Sequence, residues 1–256
     1  MISVKFGSRR SPDGAFQPVP PDADPAAVKD RLAFTLRRLG TDHVDIYRPS
    51  RLNPNVPIED TVGAIAEMVQ AGYVRHIGLS EIGAATLRRA AAVHPISDLQ
   101  IEYSLLSRGI ETEILPTARE LGIGVTAYGV LSRGLLSGRW TPDHQLNGGD
   151  FRGHVPRFQG ENLATNLALV DALRKVAESI GATVAQAAIA WVASRGSDVV
   201  PLVGARRRDR LQESLAAADL ALTPDQVAAI EAAVPIGAAA GDRYPAQQMA
   251  VLDSER

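Results

Sequence analysis

The sequence predicts an α/β fold in which short parallel strands alternate with amphipathic helices. Three observations lead to this prediction: short β-branched runs recur along the chain, segments with a helical period separate them, and the connections are short. Alternation of this kind requires parallel strands joined by right-handed crossovers. A composition of 45 % hydrophobic and 22 % charged residues is typical of a globular protein.

Six short apolar runs are predicted as the strands of this sheet. They are Ile2–Lys5, Val44–Tyr47, Val74–Leu79, Leu99–Tyr103, Gly124–Tyr128 and Val199–Val203. No G-x-G-x-x-G motif follows the first run, which disfavours a dinucleotide-binding Rossmann domain. The other common solution is a (β/α)8 barrel of the TIM type, with about six of its eight βα units in this chain.

The segments between these runs have the period of amphipathic helices. The first, Pro25–Leu39, places four aliphatic side chains on one face: Val28, Leu32, Leu36 and Leu39. Further helices are predicted over Ile58–Ala71, Gly83–Val93, Ile110–Leu121, Asn162–Ile180, Thr183–Ser194, Arg207–Ala217 and Thr223–Val234. In the last of these, Thr223 is a cap and Pro224 occupies the first helical position.

The chain is expected to be one domain over residues 1–256, with a tail at 238–256. Prolines at 18, 20, 21 and 25 are interpreted as a loop after the first strand, and a second long loop is expected from about Leu131 to Glu161. The net charge of −2 gives no basic field for nucleic acid or an anionic membrane. No apolar run approaches the roughly 18–20 residues that span a bilayer, and no signal peptide is recognised, so a cytoplasmic protein is expected.

Several chemistries are disfavoured by the residue types present. The sequence has no cysteine, which excludes disulfides and thiolate catalysis. Its five histidines show no metal-ligand spacing, so no metal site is predicted.

An ordered series of segments resembles the aldo-keto reductase family over about residues 1–234. The segments are Val4–Gly7, Arg37–Tyr47, Pro57–Thr61, Gly72–Ser80, Leu99–Ser104, Ala127–Leu131 and Val203–Arg208. The resemblance implies a (β/α)8 barrel that uses NADPH to reduce aldehydes and ketones to alcohols. Aligned with the family, the chain begins in the third barrel strand, so we expect a shortened N-terminus that lacks the catalytic tyrosine and aspartate.

The resemblance assigns two residues to the catalytic chemistry. Lys5 occupies the place of the family's catalytic lysine, at the C-terminal end of a strand, where barrel active sites lie. The alternative is a solvated lysine at a strand edge. Ser50 occupies the place of the family's histidine, and a serine donates a hydrogen bond but carries no charge that titrates near neutral pH.

The nicotinamide half of the cofactor is predicted to lie against residues at other strand ends. By resemblance, Ser80, Glu81 and Gln100 hold the carboxamide, and Glu81 stands where the family usually has asparagine. Tyr128 matches the aromatic residue that stacks on the ring, although a core aromatic at a strand end is the alternative.

The phosphate half is predicted to lie along a glycine- and arginine-containing channel. The resemblance places Gly129, Leu131 and Arg133 along the pyrophosphate, and Arg206, Arg207, Arg208, Arg210, Glu213 and Ser214 at the 2′-phosphate and adenine. It also assigns Gly204 to the cofactor site. Guanidinium groups at a helix N-terminus suit a phosphate. A solvated basic helix start is the alternative.

Three functions remain open from the sequence. The first is an NADPH-dependent reductase of small carbonyl compounds, with doubtful turnover because of the missing tyrosine and Ser50. The second is an inactive NADP-binding or dimerising remnant, since a sheet with two open edges can pair with a second copy. The third is a different barrel enzyme that binds a phosphorylated substrate at the arginine cluster.

Overall fold

A computed structural model describes residues 1–8, 22–204 and 206–255. Within these residues the chain forms six strands: β1 (Ser3–Phe6), β2 (Val44–Pro49), β3 (Val74–Ser80), β4 (Ile96–Glu102), β5 (Gly124–Tyr128) and β6 (Val199–Pro201). Each matches one of the six predicted runs to within three residues at either end. The predicted loop with prolines at 18, 20 and 21 lies outside the described residues.

Helices separate the strands. They are α1 (Pro25–Leu39), α2 (Ile58–Gln70), α3 (Ala84–Val93), α4 (Ile114–Glu120), α5 (Gly160–Ser179), α6 (Val184–Ala193), α7 (Arg208–Ala216), α8 (Pro224–Ala233) and α9 (Ala246–Met249). Short 3₁₀ segments occupy Gly109–Glu111, Ser132–Ser137, Phe151–His154, Pro156–Phe158, Ala217–Asp219 and Asp253–Glu255.

The strands form one sheet in the order β1-β2-β3-β4-β5-β6, which is also their order in the chain. The pairs β1–β2, β2–β3 and β3–β4 are parallel, and Lys5 of β1 lies opposite Arg48 of β2 in the register. The predicted α/β class is therefore confirmed. Because β1 to β4 run in the same direction, their C-terminal residues lie along one edge of the sheet.

Helix starts in the sequence correspond to caps in the structure. Asp24 accepts hydrogen bonds from the backbone of Ala26 and Ala27 at the start of α1, which has Pro25 at its first turn. The predicted Thr223 cap is confirmed and forms a capping box with Gln226 at the start of α8.

One prediction about the helices was wrong in detail. The helix expected over Ile110–Leu121 is split into the 3₁₀ turn Gly109–Glu111 and the shorter α4. In α1, Leu39 is 50 % exposed, whereas Val28 and Leu32 are buried. Leu39 is the last residue of α1, beyond the part of its apolar stripe that reaches the core.

The chain divides into two compact units, which we describe separately. The first comprises Met1–Ile101, Thr112–Val125 and Leu252–Arg256. In its core, the rings of Phe6 and Tyr47 stack with centroids 4.3 Å apart. The Tyr47 hydroxyl donates to the carbonyl of Val28, which attaches α1 to β2.

The second unit comprises Glu102–Glu111 and Thr126–Val251. Its largest fully buried side chain is Trp191 of α6, whose ring lies 5.4 Å from that of Tyr103. The indole nitrogen of Trp191 donates to Glu231 of α8, and the guanidinium groups of Arg108 and Arg195 lie over the ring. The aromatic core is thus surrounded by charged side chains whose partners lie on neighbouring elements.

No single helix in the described part of the chain is both long and apolar enough to cross a membrane. The pair α5 and α6 meets the length and composition criteria only when taken together, with a bend of 84° between them.

Candidate functional site

Polar side chains meet at the C-terminal ends of β1, β2 and β3 in the first unit. Lys5 is the penultimate residue of β1, Ser50 follows β2, and Ser80 ends β3. The Lys5 Nζ donates to the Ser80 Oγ at 3.4 Å. Gln100 of β4 lies opposite Ser80, and its carbonyl accepts from the backbone N–H of Glu81. The structure therefore brings together the predicted residues Lys5, Ser80, Glu81 and Gln100.

The environment of Lys5 disfavours its protonated form. The residue as a whole is exposed, but its Nζ lies against Ser80, which is buried. Desolvation at this buried end, followed by repulsion from Arg51 and Arg48, lowers the pKa of Lys5 from 10.5 to about 8, and Glu81 and Asp98 oppose the effect. The catalytic role of Lys5 stays a prediction.

Arg48 and Asp98, which both influence the pKa of Lys5, form a buried ion pair. Arg48, 2 % exposed, contacts Asp98 of β4 at 2.5 Å and donates to the Ser3 hydroxyl at 2.7 Å. Its Nε and Nη1 have no hydrogen-bond partner among the described residues. Burial lowers the pKa of Arg48, and Asp98 offsets part of that loss. Gly78 of β3 leaves room for the pair, because a Cβ there would lie 3.2 Å from the Arg48 Nε and 3.3 Å from an Asp98 oxygen.

Ser50 is 4 % exposed, and its backbone N–H donates to the carbonyl of Phe6 at 2.7 Å. Its hydroxyl has no hydrogen-bond partner among the described residues. A buried hydroxyl in this state costs stability. It is also able to donate to a ligand oxygen.

The turn Asp253–Glu255 forms hydrogen bonds with Glu81 and with the backbone of Gly83. The Ser254 hydroxyl donates to Glu81 Oε2 at 2.8 Å, and an Asp253 oxygen accepts from the backbone N–H of Gly83. Glu81 is fully buried and has a φ of +54°, which is unusual for a residue other than glycine. The turn therefore fixes a strained residue at a position predicted to contact the carboxamide.

The second unit contains a fully buried carboxylate, Glu102, surrounded by three guanidinium groups. Arg133 and Arg243 each approach it to 3.3 Å and Arg157 to 3.8 Å. Arg157 also donates to the carbonyls of Leu106 and Gly241, so it joins separate loops. Burial lowers the pKa of Arg157 even though Glu102 raises it. One carboxylate facing three cations leaves an excess of positive charge here.

Tyr128 is linked to this cluster through Tyr244. The two hydroxyl oxygens lie 3.0 Å apart, and Arg243 Nη1 donates to the Tyr128 hydroxyl at 3.4 Å. The Arg133 guanidinium lies over the Tyr244 ring, 4.4 Å from its centroid. Tyr244 therefore contacts both the predicted ring-stacking residue and a predicted phosphate-binding residue.

A cavity of about 410 Å³ lies in the second unit. Seven predicted cofactor residues line it: Gly129, Leu131, Arg133, Gly204, Arg210, Glu213 and Ser214. Glu213 accepts from Arg139, which also lines the cavity, at 2.9 Å and lies 3.7 Å from Arg210. Gly129 has a φ of +68°, and a Cβ there would lie 3.0 Å from the Cγ of Glu102.

The other three predicted arginines are placed differently. Arg206, Arg207 and Arg208 are exposed and are not among the residues that line this cavity. Arg207 forms an ion pair with Asp209 at 2.9 Å. Their role in binding phosphate stays a prediction.

Several residues of these clusters were missed by the sequence reasoning. Glu102 lies inside a segment that resembles the family, but its burial depends on β4 and could not be deduced from its type. Arg243 and Tyr244 were assigned to a tail, and Arg139 to a long loop. A signal was present in Tyr244 itself, since segments without a packed structure contain few aromatic residues. No group of three or more acidic or histidine side chains in the described ranges could hold a metal ion.

The fold and these clusters define a class of protein: a parallel α/β enzyme scaffold of the (β/α) barrel type, with functional side chains at the C-terminal ends of its strands. The model of the aldo/keto reductase family matches residues 1–235. The chain belongs to the aldo/keto reductase family, which makes it an oxidoreductase acting on carbonyl compounds.

Known relatives agree with this assignment. The chain is 40 % identical to aldo-keto reductase str7 of Strobilurus tenacellus over 256 residues, covering 99 % of this chain and 74 % of that protein. It is 40 % identical over 245 residues to probable aldo-keto reductase 1 of Glycine max, covering 95 % and 69 %. The solved glycerol dehydrogenase AKR11B4 of Gluconobacter oxydans superposes with a TM-score of 0.84 at 28 % identity, covering 90 % and 71 %. The predicted family and TIM-barrel class are therefore confirmed.

Proposed function

We propose that this chain binds NADP(H) and reduces aldehydes or ketones to the corresponding alcohols. The observation that carries the proposal is the cavity in the second unit, where seven residues predicted to bind the cofactor lie together. They come from the loop after β5, the loop after β6 and α7. Residues far apart in sequence thus line one cavity, which supports the proposal.

The residues at the cavity suit a dinucleotide phosphate. Arg133 Nη1 is buried and has no hydrogen-bond partner among the described residues, so it is available to a ligand oxygen. The Arg133–Glu102–Arg243 cluster carries more positive than negative charge. Gly129, with its positive φ, allows the backbone to approach a bulky group closely.

Each protein group has a proposed part in the reaction. NADPH supplies a hydride to the carbonyl carbon when it is bound. By resemblance, Ser80, Glu81 and Gln100 orient the carboxamide, and Tyr128 stacks on the ring. Lys5 provides a positive charge or a proton near neutral pH, because its pKa is about 8. The Ser50 hydroxyl is able to donate to the carbonyl oxygen, but it carries no charge that titrates in this range.

A second candidate is an NADP-binding protein that turns over slowly or not at all. Ser50 favours it, because a buried serine stands where the family has a histidine. A homodimer and a cytoplasmic location stay predictions. Sedimentation at several protein concentrations tests the homodimer, and a particle that remains monomeric would count against it.

Fluorescence titration separates these functions. We expect NADPH to bind more tightly than NADH, and Arg210→Met to weaken NADPH binding about tenfold with little effect on NADH, since one charged hydrogen bond contributes about 1.5 kcal/mol. Arg37→Met, at an exposed position on α1, is the matched control. Turnover is then measured with a panel of aldehydes. Binding without turnover supports the second candidate, and the absence of NADPH binding contradicts both.

A further inference from the structure

The turn 132–134, which contains the cavity residue Arg133, has an unusual backbone. Ser132, Arg133 and Gly134 have φ values of +44°, +54° and +105°. The first two are not glycine, and such residues adopt the left-handed region rarely and at a cost in free energy. A conformation of this kind persists only where the surrounding structure stabilises it. Because Arg133 and Gly134 both line the cavity, whatever stabilises the turn also shapes the cavity.

Two arginines of the segment 150–158 bond to this turn. Arg152 Nη1 donates to the backbone carbonyl of Arg133 at 3.2 Å. Arg157 Nη1 donates to the Ser132 hydroxyl oxygen at 3.5 Å. The segment therefore contacts both non-glycine residues of the turn, one through its backbone and the other through its side chain.

Arg152 is itself fixed by its neighbours. Its Nε and Nη2 donate to the two carboxylate oxygens of Asp150 at 2.9 and 2.6 Å. Its guanidinium lies over the ring of Trp140, 5.2 Å from the centroid. A Cβ at Gly134 would lie 3.2 Å from the Trp140 Nε1 and 3.5 Å from the Arg152 Nη1, so the turn packs directly against this pair. Asp150 and Arg152 are not among the residues that line the cavity, which places Arg152 behind the turn.

The side chain of Arg133 has one nitrogen available to a ligand. Its Nη2 lies 3.3 Å from a carboxylate oxygen of Glu102. Its Nη1 is buried and has no hydrogen-bond partner among the described residues. A buried guanidinium N–H at the border of a cavity suits an anionic oxygen, such as that of a phosphate.

We propose that Arg152 is a positioning residue of this cavity. By stabilising the left-handed turn 132–134, it directs the Arg133 Nη1 toward a phosphate oxygen of the cofactor. The inference rests on the proposed function, because it takes NADP(H) as the ligand of the cavity. Arg152 then affects cofactor affinity only through Arg133. Asp150→Asn should have the same effect in weaker form, since Arg152 loses the carboxylate that fixes it.

Hydrogen exchange followed by mass spectrometry tests the effect on the turn without any ligand. The backbone N–H groups of Gly134 and Leu136 donate to the carbonyl of Leu131 at 2.8 and 3.1 Å. In Arg152→Met these two amides should exchange severalfold faster than in the unaltered chain, because the turn loses one of its two arginine contacts. Unchanged exchange overturns the proposal.

Arg174→Met is the matched control for this experiment. Arg174 also donates to a backbone carbonyl, that of Gly138, at 2.9 Å, but it is not among the residues that line the cavity. This variant should leave the exchange of Gly134 and Leu136 unchanged. Faster exchange in both variants would show that losing any such arginine loosens the region, which contradicts a specific role for Arg152.

Fluorescence titration with NADPH tests the link to Arg133, after urea denaturation has shown that each variant is folded. Arg152→Met should weaken binding about fivefold and Arg133→Met about tenfold, since one charged hydrogen bond contributes on this scale. The double variant should bind no more weakly than Arg133→Met, because Arg152 acts through Arg133. Additive losses overturn the proposal, as does unchanged affinity in Arg152→Met.

Arg152→Lys guards against a general effect of removing a charge. It keeps the positive charge but lacks the planar fork that bonds to both oxygens of Asp150, so it should weaken NADPH binding as Arg152→Met does. Failure of the unaltered chain to bind NADPH contradicts the proposed function and, with it, the cofactor as the ligand here. Hydrogen exchange then still decides whether Arg152 stabilises the turn.

Discussion

Asp98 and Glu102 lie four residues apart on β4, yet their carboxylates contact different numbers of guanidinium groups. Asp98, in the first unit, faces the single guanidinium of Arg48. Glu102, in the second unit, faces three. The first arrangement leaves two Arg48 nitrogens without a hydrogen-bond partner among the described residues, whereas the Arg157 nitrogens around Glu102 bond to carbonyls and hydroxyls. The same strand thus carries an ion pair between two strands and a cluster that links several loops.

This difference suggests distinct roles for the two acids. Glu102 joins β4 to Arg133, to Arg157 and to Arg243, so it stabilises loops that are far apart in sequence. Asp98 neutralises one buried cation and also raises the pKa of Lys5. We therefore expect loss of Glu102 to affect stability most, and loss of Asp98 to affect both stability and the pKa of Lys5.

The largest effect is expected for Glu102→Gln. Removing this charge leaves two buried guanidinium groups and the partly exposed one of Arg133 without their common carboxylate, which should lower the free energy of unfolding by about 3–5 kcal/mol. Urea denaturation measures it. Glu67→Gln, which breaks the exposed pair with Lys29, is the matched control and should cost less than about 1 kcal/mol. Equal costs would show that Glu102 does not cross-link the loops.

Asp98→Asn should have the second largest effect, with a loss of about 2–3 kcal/mol, because one buried guanidinium loses its charged partner. The double variant Arg48→Met/Asp98→Asn should be more stable than Asp98→Asn, since no buried charge is then left unpaired. Asp98→Asn should also lower the pKa of Lys5 below about 8. An NMR titration of the Lys5 side chain measures that shift, and an unchanged pKa of Lys5 would contradict the coupling.

Tyr244→Phe should cost about 1 kcal/mol of stability, because it removes the hydroxyl contact with Tyr128 but keeps the ring under Arg133. Tyr128→Phe removes the same contact. The double variant should therefore be no less stable than the worse single variant, which a double-mutant cycle measures. Tyr73→Phe, at a 48 % exposed position, is the control. Additive losses would mean that the two hydroxyl groups act separately.

The smallest effects are expected at the helix caps, where the two units should behave alike. Asp24→Ala at α1 and Thr223→Ala at α8 each remove a side chain that accepts from the first backbone N–H groups. Each should cost roughly 0.5–1 kcal/mol in urea denaturation. A large difference between the two stability losses would indicate that the two units differ in more than the number of guanidinium groups around Asp98 and Glu102.

Most of the fold could be predicted from local patterns. Apolar runs and caps such as Thr223 are encoded within a few residues, so the strands and most helices agree with the structure. The break between Gly109–Glu111 and α4 could not be predicted, since the apolar period continues through it. Leu39 has the correct spacing for burial, but it lies at the exposed end of α1.

Residues of the candidate site could be predicted only where two conditions held. The residue type had to suit the chemistry of the family, and the residue had to stand at the matching place in the ordered series of family-like segments. Lys5, Ser80 and the cavity residues Gly129 and Arg210 were found in this way. Glu102 and Asp98 could not be found, because their functions depend on which guanidinium groups lie opposite β4. Arg243 and Tyr244 follow α8 and reach Tyr128 by a path that the sequence does not encode locally.

Gly78 has a consequence for how this protein tolerates variation. A Cβ at this position would lie 2.9 Å from the Ile46 Cγ2, as well as close to both members of the Arg48–Asp98 pair. Even alanine would therefore displace a branched side chain of the neighbouring strand. In a saturation-mutagenesis survey, Gly78 should accept almost no replacement, although it has no reactive group. A screen for altered activity that found this position would be reporting on space inside the sheet, and not on a residue that contacts the substrate.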